Sequence, residues 1–99
     1  MGVNAACHQN DVVMYEVVGT ATAVDIQVTD PSGGTDKYED QGLPWRFSYE
    51  GFENNQAYIY AHNNTEDGGI TVNIYVNGQL VRTATSTGPY QTAVTYWDK

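Results

Sequence analysis

The stretch from Gly69 to Thr85 leaves this chain few ways to fold. Ile70, Val72, Ile74 and Val76 alternate with polar residues, then Asn77-Gly78 leads into Gln79-Leu80-Val81-Arg82-Thr83-Ala84-Thr85. Successive side chains of a pleated backbone point to opposite sides, so the alternation puts the four aliphatic residues on one face of a strand. Asn-Gly is the preferred pair for a two-residue type I′ turn, whose central residues both take positive φ and whose twist matches that of the strands. The stretch therefore reads as a β-hairpin, with Asn77 and Gly78 as its structural turn. A two-residue turn also sets register. The expected pairs are Val76 with Gln79, Ile74 with Val81, Val72 with Thr83 and Ile70 with Thr85, with Tyr75 facing Leu80 and Asn73 facing Arg82 on the other side.

The rest of the chain repeats this pattern with different punctuation. Val12 to Val18 reads as a strand with Val13, Tyr15 and Val17 on one face, ended by Gly19. Thr22 to Thr29 presents Val24, Ile26 and Val28 to one side. Asp30-Pro31-Ser32-Gly33-Gly34 reverses the chain into a short, charged strand, Thr35 to Gln41, of the kind found at sheet edges. Proline cannot donate to a ladder, so Leu43-Pro44 marks a crossing between sheets, with Trp45 expected to plug the core there. Arg46 to Glu50 resumes as a strand, and Asn54-Asn55 marks a turn. Ala57 to His62 puts Ala57, Ile59 and Ala61 on one face and Tyr58, Tyr60 and His62 on the other. Gly88-Pro89 leads into a last strand, Tyr90 to Trp97. No segment has helical periodicity. Seven to eight mostly antiparallel strands at this spacing predict an all-β, two-sheet, immunoglobulin-like sandwich. A flexible leader, residues 1–11, precedes a single domain, residues 12–99.

The charge balance excludes some partners. Twelve acids against four bases give a formal net charge of −8, whereas phosphate backbones and anionic membrane surfaces call for clustered Lys and Arg. Nucleic acid is not an expected partner. No apolar run reaches the about 18 residues of a membrane-spanning helix. A single cysteine forms no internal disulfide, but Asn4-Ala5-Ala6-Cys7 places small residues before it, as at the end of a lipoprotein signal. Cys7 is therefore the candidate lipid anchor, and such an anchor would be the chain's one tie to the membrane.

Chemistry-bearing constellations are sparse. A hydrolase would have to rest on His62 with Ser32, Ser48 or Ser86, and no Gly-x-Ser-x-Gly elbow is present. Two histidines and one cysteine lack zinc-ligand spacing, and no cofactor is expected. The loop Asn63-Asn64-Thr65-Glu66-Asp67-Gly68-Gly69 is rich in oxygen ligands but lacks the EF-hand spacing. Asn63, Glu66 and Asp67 are its weak calcium candidates, against the alternative of a solvated turn. The aromatics say more. Tyr58 and Tyr60, and separately Tyr75 beside Leu80, lie opposite the core residues of their strands, and tyrosine with few charges around it is the composition of a binding surface.

Three stretches taken together resemble a known family: Tyr15-Glu16-Val17-Val18-Gly19, Leu43-Pro44-Trp45, and Gly69-Ile70-Thr71-Val72-Asn73-Ile74-Tyr75-Val76-Asn77-Gly78 with Val81 after it. In this order they resemble the MmpS family, the small accessory proteins of mycobacterial lipid and siderophore exporters. They are also similar to a group of small Bacteroidetes lipoproteins. The resemblance runs from about Val12 to Trp97 and implies a sandwich in an extracytoplasmic setting, in the bacterial envelope or periplasm, with no catalytic residues to carry over. In the mycobacterial proteins a cysteine in the hairpin strand pairs with one near the C-terminus. Val72 stands at the first of these positions here, and Val94 or Thr95 near the second, so the bond is either replaced by core packing or not replaced at all. The resulting expectation is a non-enzymatic accessory or binding domain of a cell-envelope lipoprotein, associated with a transport system, whose partner is a protein or an envelope ligand. The alternatives are a carbohydrate- or small-ligand-binding module using Tyr58, Tyr60 and Tyr75, and, ranked below it, the hydrolase centred on His62.

Overall fold

A computed structural model describes residues 11–52 and 56–98. Cys7, His8 and the Asn54-Asn55 turn lie outside the described residues. Eight strands follow in chain order: β1 (Val13–Gly19), β2 (Val24–Thr29), β3 (Thr35–Gln41), β4 (Trp45–Tyr49), β5 (Gln56–Asn63), β6 (Gly69–Val76), β7 (Gln79–Thr87) and β8 (Thr92–Asp98). They form two four-stranded antiparallel sheets, one in the order β4-β1-β6-β7 and the other β3-β2-β5-β8. This is the all-β sandwich that the alternation predicts. The crossing at Leu43-Pro44 carries the chain from the edge of one sheet to the edge of the other, and its peptide bond is cis.

The core lies where the alternating faces meet. Val13, Tyr15 and Val17 of β1 and Ile70, Val72 and Ile74 of β6 face Val24, Ile26 and Val28 of β2, Ala57, Ile59 and Ala61 of β5, and Ala93 of β8, all buried. Tyr15 ties the layers together. It is fully buried, and its hydroxyl donates to the Thr29 carbonyl of the other sheet at 2.7 Å. Trp45 packs against this core without being enclosed by it. As part of edge strand β4 it is only half-buried, and the enclosed aromatic after the crossing is Phe52, just beyond β4.

The hairpin has its predicted turn and a corrected register. Asn77 (φ 52°) and Gly78 (φ 86°) both take the positive φ of a type I′ turn, with Val76 opposite Gln79 and Tyr75 opposite Leu80. A bulge then shifts the ladder, so that Ile74 pairs with Arg82, Asn73 with Thr83, Val72 with Ala84 and Ile70 with Ser86. The expected pairs Ile74–Val81, Val72–Thr83, Ile70–Thr85 and Asn73–Arg82 do not form. Val81 keeps the core side that the unshifted register also gives it, and the extra residue then brings Ala84 and Ser86 inward in place of Thr83 and Thr85. Thr85 instead meets Thr71, hydroxyl to hydroxyl at 2.9 Å.

Asn77 has a second task. Its side-chain oxygen accepts from the Val12 backbone N–H at 2.9 Å, its amide donates to the Asp11 carboxylate at 3.1 Å, and its own N–H donates to the Val12 carbonyl at 2.8 Å. The Asp11 carbonyl also accepts from Phe52. The expected flexible leader, residues 1–11, therefore does not extend to Asp11, which is bonded into the end of the sandwich.

Candidate functional site

The two outer faces of the sandwich differ, and the two groups of candidate binding residues, Tyr58 with Tyr60 and Tyr75 with Leu80, lie on opposite faces. On the β4-β1-β6-β7 sheet, Tyr75 and Leu80 lie beside a polar cluster centred on Glu16. The Glu16 side chain is almost fully covered although it points away from the core. It accepts from Arg46 Nε at 2.7 Å, from Asn73 Nδ2 at 2.8 Å and from the Tyr75 hydroxyl at 3.2 Å. Burial pushes the Glu16 carboxyl up, but the bonds from Asn73, Arg46 and Tyr75 and the guanidinium charge outweigh it, so the group titrates below its ordinary 4.5. Tyr75 thus holds Glu16 in place, and only Leu80, 52 % exposed, remains uncommitted.

A pH dependence follows. A carboxyl whose folded pKa is depressed contributes stability above its unfolded pKa and loses it as pH falls through the folded one. Glu16→Gln should cost about 1–2 kcal/mol at neutral pH, by weakening charge-assisted hydrogen bonds. Its denaturation midpoint should converge with that of the parent as pH falls below the ordinary glutamate range. Urea titrations at a series of pH values check this, and a gap that persists at low pH would assign the loss to packing instead.

The outer face of the other sheet has a different character. Tyr58 and Tyr60 of β5 lie directly opposite Tyr96 and Val94 of β8, at the spacing where cross-strand side chains touch. Tyr96 keeps 51 % and Val94 42 % of its surface exposed, while the two β5 tyrosines are half-buried. Polar pairs border this patch along the strands. Gln56 donates to Asp98 at 3.0 Å at one end, and His62 Nδ1 meets Thr92 Oγ1 at 2.9 Å at the other. Across β2, Gln27 stands opposite Tyr60 and Asp25 opposite His62. Bonds from the Asp40 backbone N–H and the Asn64 amide hold the Asp25 carboxyl below its usual range. An apolar, aromatic centre with a polar rim is the anatomy of a contact surface. Sequence reasoning found Tyr58 and Tyr60 but not Val94 and Tyr96, because the last strand's alternation does not say which of its two sets faces out.

The other candidates fall into structural roles. Asn63 is buried, its oxygen accepts from the Thr65 N–H and hydroxyl at 2.9 and 2.6 Å, and its amide donates to the Asp67 carbonyl at 3.0 Å. Through these bonds it shapes the loop that carries the weak calcium candidates. Glu66 and Asp67 are exposed, and among the described residues no three His, Cys, Asp or Glu side chains converge. The hydroxyl beside His62 belongs to Thr92. Of the three serines, Ser32 is bonded to Asp30, Ser48 lies in the other sheet, and Ser86 donates to the Thr92 carbonyl.

The three stretches that carried the family resemblance meet in space. Trp45, Val17 and Val72 are in register across β4, β1 and β6, and Gly19 lies beside Ile70 at the end of the same ladder. The family model described as Mycobacterium membrane protein matches residues 3–97. The chain belongs to that family. No curated protein gives a significant match. Membership associates the chain with the cell envelope, and no helix among the described residues is long and apolar enough to cross a membrane. Where the resemblance placed a disulfide, this member of the family buries Val72 completely. Val94 faces outward, and Thr95 shares the inward side of β8 with Ala93, opposite Ile59.

Proposed function

We propose that this domain is a non-enzymatic, extracytoplasmic accessory module of the cell envelope that binds a protein partner through the outer face of β5 and β8. The observation that carries the reading is the patch of Tyr58, Tyr60, Val94 and Tyr96, where four large side chains line one sheet face and two stay about half exposed. The opposite face supports it by contrast, since there Asn73 and Tyr75 donate to Glu16 and Thr71 bonds to Thr85. Family membership supports the envelope setting. A lipid anchor at Cys7 and association with a transport system belong to the same proposal.

The test is a Tyr58→Ser/Tyr96→Ser double variant, expressed from the native gene in its host and followed by native electrophoresis of detergent-solubilised envelopes. The parent should migrate in a larger assembly, and the variant, with unchanged far-ultraviolet circular dichroism, should migrate free. An assembly unaffected by both changes would overturn the use of this face. Calorimetric binding of a glycan, lost in Tyr60→Ala, would favour the carbohydrate reading over a protein partner.

A further inference from the structure

Two open sheets present four edge strands, and three of them are closed or defended. β7 and β8 pack against each other along one side of the sandwich, where Ser86 donates to the Thr92 carbonyl at 2.6 Å. On the opposite side, β3 carries Asp36, Lys37, Glu39 and Asp40. It is also distorted by an irregularity where Asp40 takes φ 52° and its N–H bonds to Asp25. Charges and bulges of this kind keep an edge from pairing with other chains. β4 has neither device. Its pairing with β1 is regular over all five residues, it contains no proline, and its one charge, Arg46, is engaged by Glu16 on the outer face. Among the described residues its second edge has no partner strand.

The inward side of β4 is also incompletely covered. Trp45, Phe47 and Tyr49 stand opposite the buried Val17, Tyr15 and Val13, yet Phe47 keeps 39 % of its surface exposed. With Tyr38 of β3 these rings form a continuous cluster. The Tyr38 and Trp45 centroids are 5.2 Å apart, those of Tyr38 and Phe47 5.8 Å, and those of Phe47 and Tyr49 4.8 Å. One carboxylate borders the cluster, because the Tyr49 hydroxyl donates to Asp36. Among the described residues no base forms an ion pair with it. Arg46 pairs with Glu16, and Arg82 bonds to the Val81 carbonyl on β7 at the far edge. Lys37 stands opposite Gln27, and Lys99 lies outside the described residues. A carboxylate beside exposed aromatic faces, in a domain of net charge −8, matches a guanidinium, which stacks flat on rings and pairs with carboxylates.

We propose that the free edge of β4 is a strand-addition site for an extended, arginine-bearing segment of a partner protein. The segment continues the sheet beyond β4, and its guanidinium lies on the Phe47 ring and reaches the Asp36 carboxylate. Main-chain bonds supply affinity in such additions, and alternate side chains supply specificity. The site is separate from the outer face of β5 and β8, and neither needs the other.

The experiment titrates the full, isotope-labelled chain with a short blocked peptide in which threonine alternates with valine and arginine, followed by nuclear magnetic resonance. Amides of residues 45–49 should shift and gain protection from exchange. Affinity should fall about tenfold in Phe47→Ala and in the near-isosteric Asp36→Asn, but remain unchanged in Tyr96→Ser. Methylating alternate peptide nitrogens should abolish binding in one phase and be tolerated in the other, since only one edge of the peptide meets β4. Shifts spread over the acidic surface with no dependence on methylation phase would reduce the effect to charge attraction and overturn the proposal. So would a dimer of the protein alone that Phe47→Ala disperses, because the edge would then belong to a second copy of this chain.

Discussion

Tyr15→Ala should destabilise the domain by about 3–5 kcal/mol, the range for removing a fully buried aromatic side chain, out of a total stability of about 5–15 kcal/mol for a domain of this size. Two effects combine. The ring is wholly enclosed between the sheets, so its loss opens a cavity that the surrounding strands can close only in part. The hydroxyl is the donor to the Thr29 carbonyl, which would lose its bond across the sandwich. Tyr15→Phe separates the two, keeping the ring and costing about 1–2 kcal/mol for the unsatisfied carbonyl. Burial pushes the Tyr15 hydroxyl well above its ordinary 10.0. A raised folded pKa means stability that is complete below the unfolded pKa and lost as pH rises above it. Alkaline unfolding should therefore set in at about pH 10, and Tyr15→Phe should blunt it. Urea denaturation and absorbance titration measure both, and an alkaline limb unchanged in Tyr15→Phe would move that role to Tyr49, whose hydroxyl is also raised by burial and by Asp36.

Strand identity was legible wherever one side of a strand is dry. Val24, Ile26 and Val28, or Ala57, Ile59 and Ala61, each select a face by alternation alone, and the structure buries those residues. Less legible were features that depend on a neighbour from another part of the chain. The bulge at Val81 is invisible in the hairpin's own pattern, because its benefit comes from placing Ala84 rather than Thr83 opposite the buried Val72. Trp45 looked like a plug because tryptophan is large and apolar. Its half-exposure follows from β4 lying at a sheet edge, which no local signal announces. Phe52, isolated between Gly51 and Glu53, has no periodic partners to reveal that it is enclosed.

The candidate site shows the same division. Alternation directed Tyr58, Tyr60 and Tyr75 away from the core, as the structure has them, but could not say that they occupy opposite sides of the molecule. It also could not say that the Tyr75 hydroxyl is engaged by a carboxylate 59 residues earlier in the chain. Tertiary pairing makes one tyrosine structural and leaves the β5 pair beside Val94 and Tyr96. The acidic loop is the converse case. Its composition invited a cation, whereas its geometry turns the Asn63 oxygen onto Thr65.

Gly19→Ala should cost about 3 kcal/mol or more, and its comparison with Gly78→Ala separates two physical causes. Both glycines have positive φ, 141° at Gly19 and 86° at Gly78, so alanine at either is strained by about 1–3 kcal/mol. At Gly78 a methyl group would meet nothing within 4 Å, and strain is the whole effect. At Gly19 it would stand 2.2 Å from the Gly69 carbonyl oxygen, the atom that accepts from both Thr20 and Ala21. Backbone cannot yield as a flexible side chain does, so β1 and the start of β6 must separate, and those bonds, each worth about 1 kcal/mol, weaken with them. The contact lies where two stretches of the family resemblance, ending at Gly19 and beginning at Gly69, come together, and where the chain leaves one sheet for the other. Parallel urea denaturations of the two variants measure the difference. Equal losses would mean that this junction gives way freely and that only the conformation of Gly19, not its close approach to Gly69, is required.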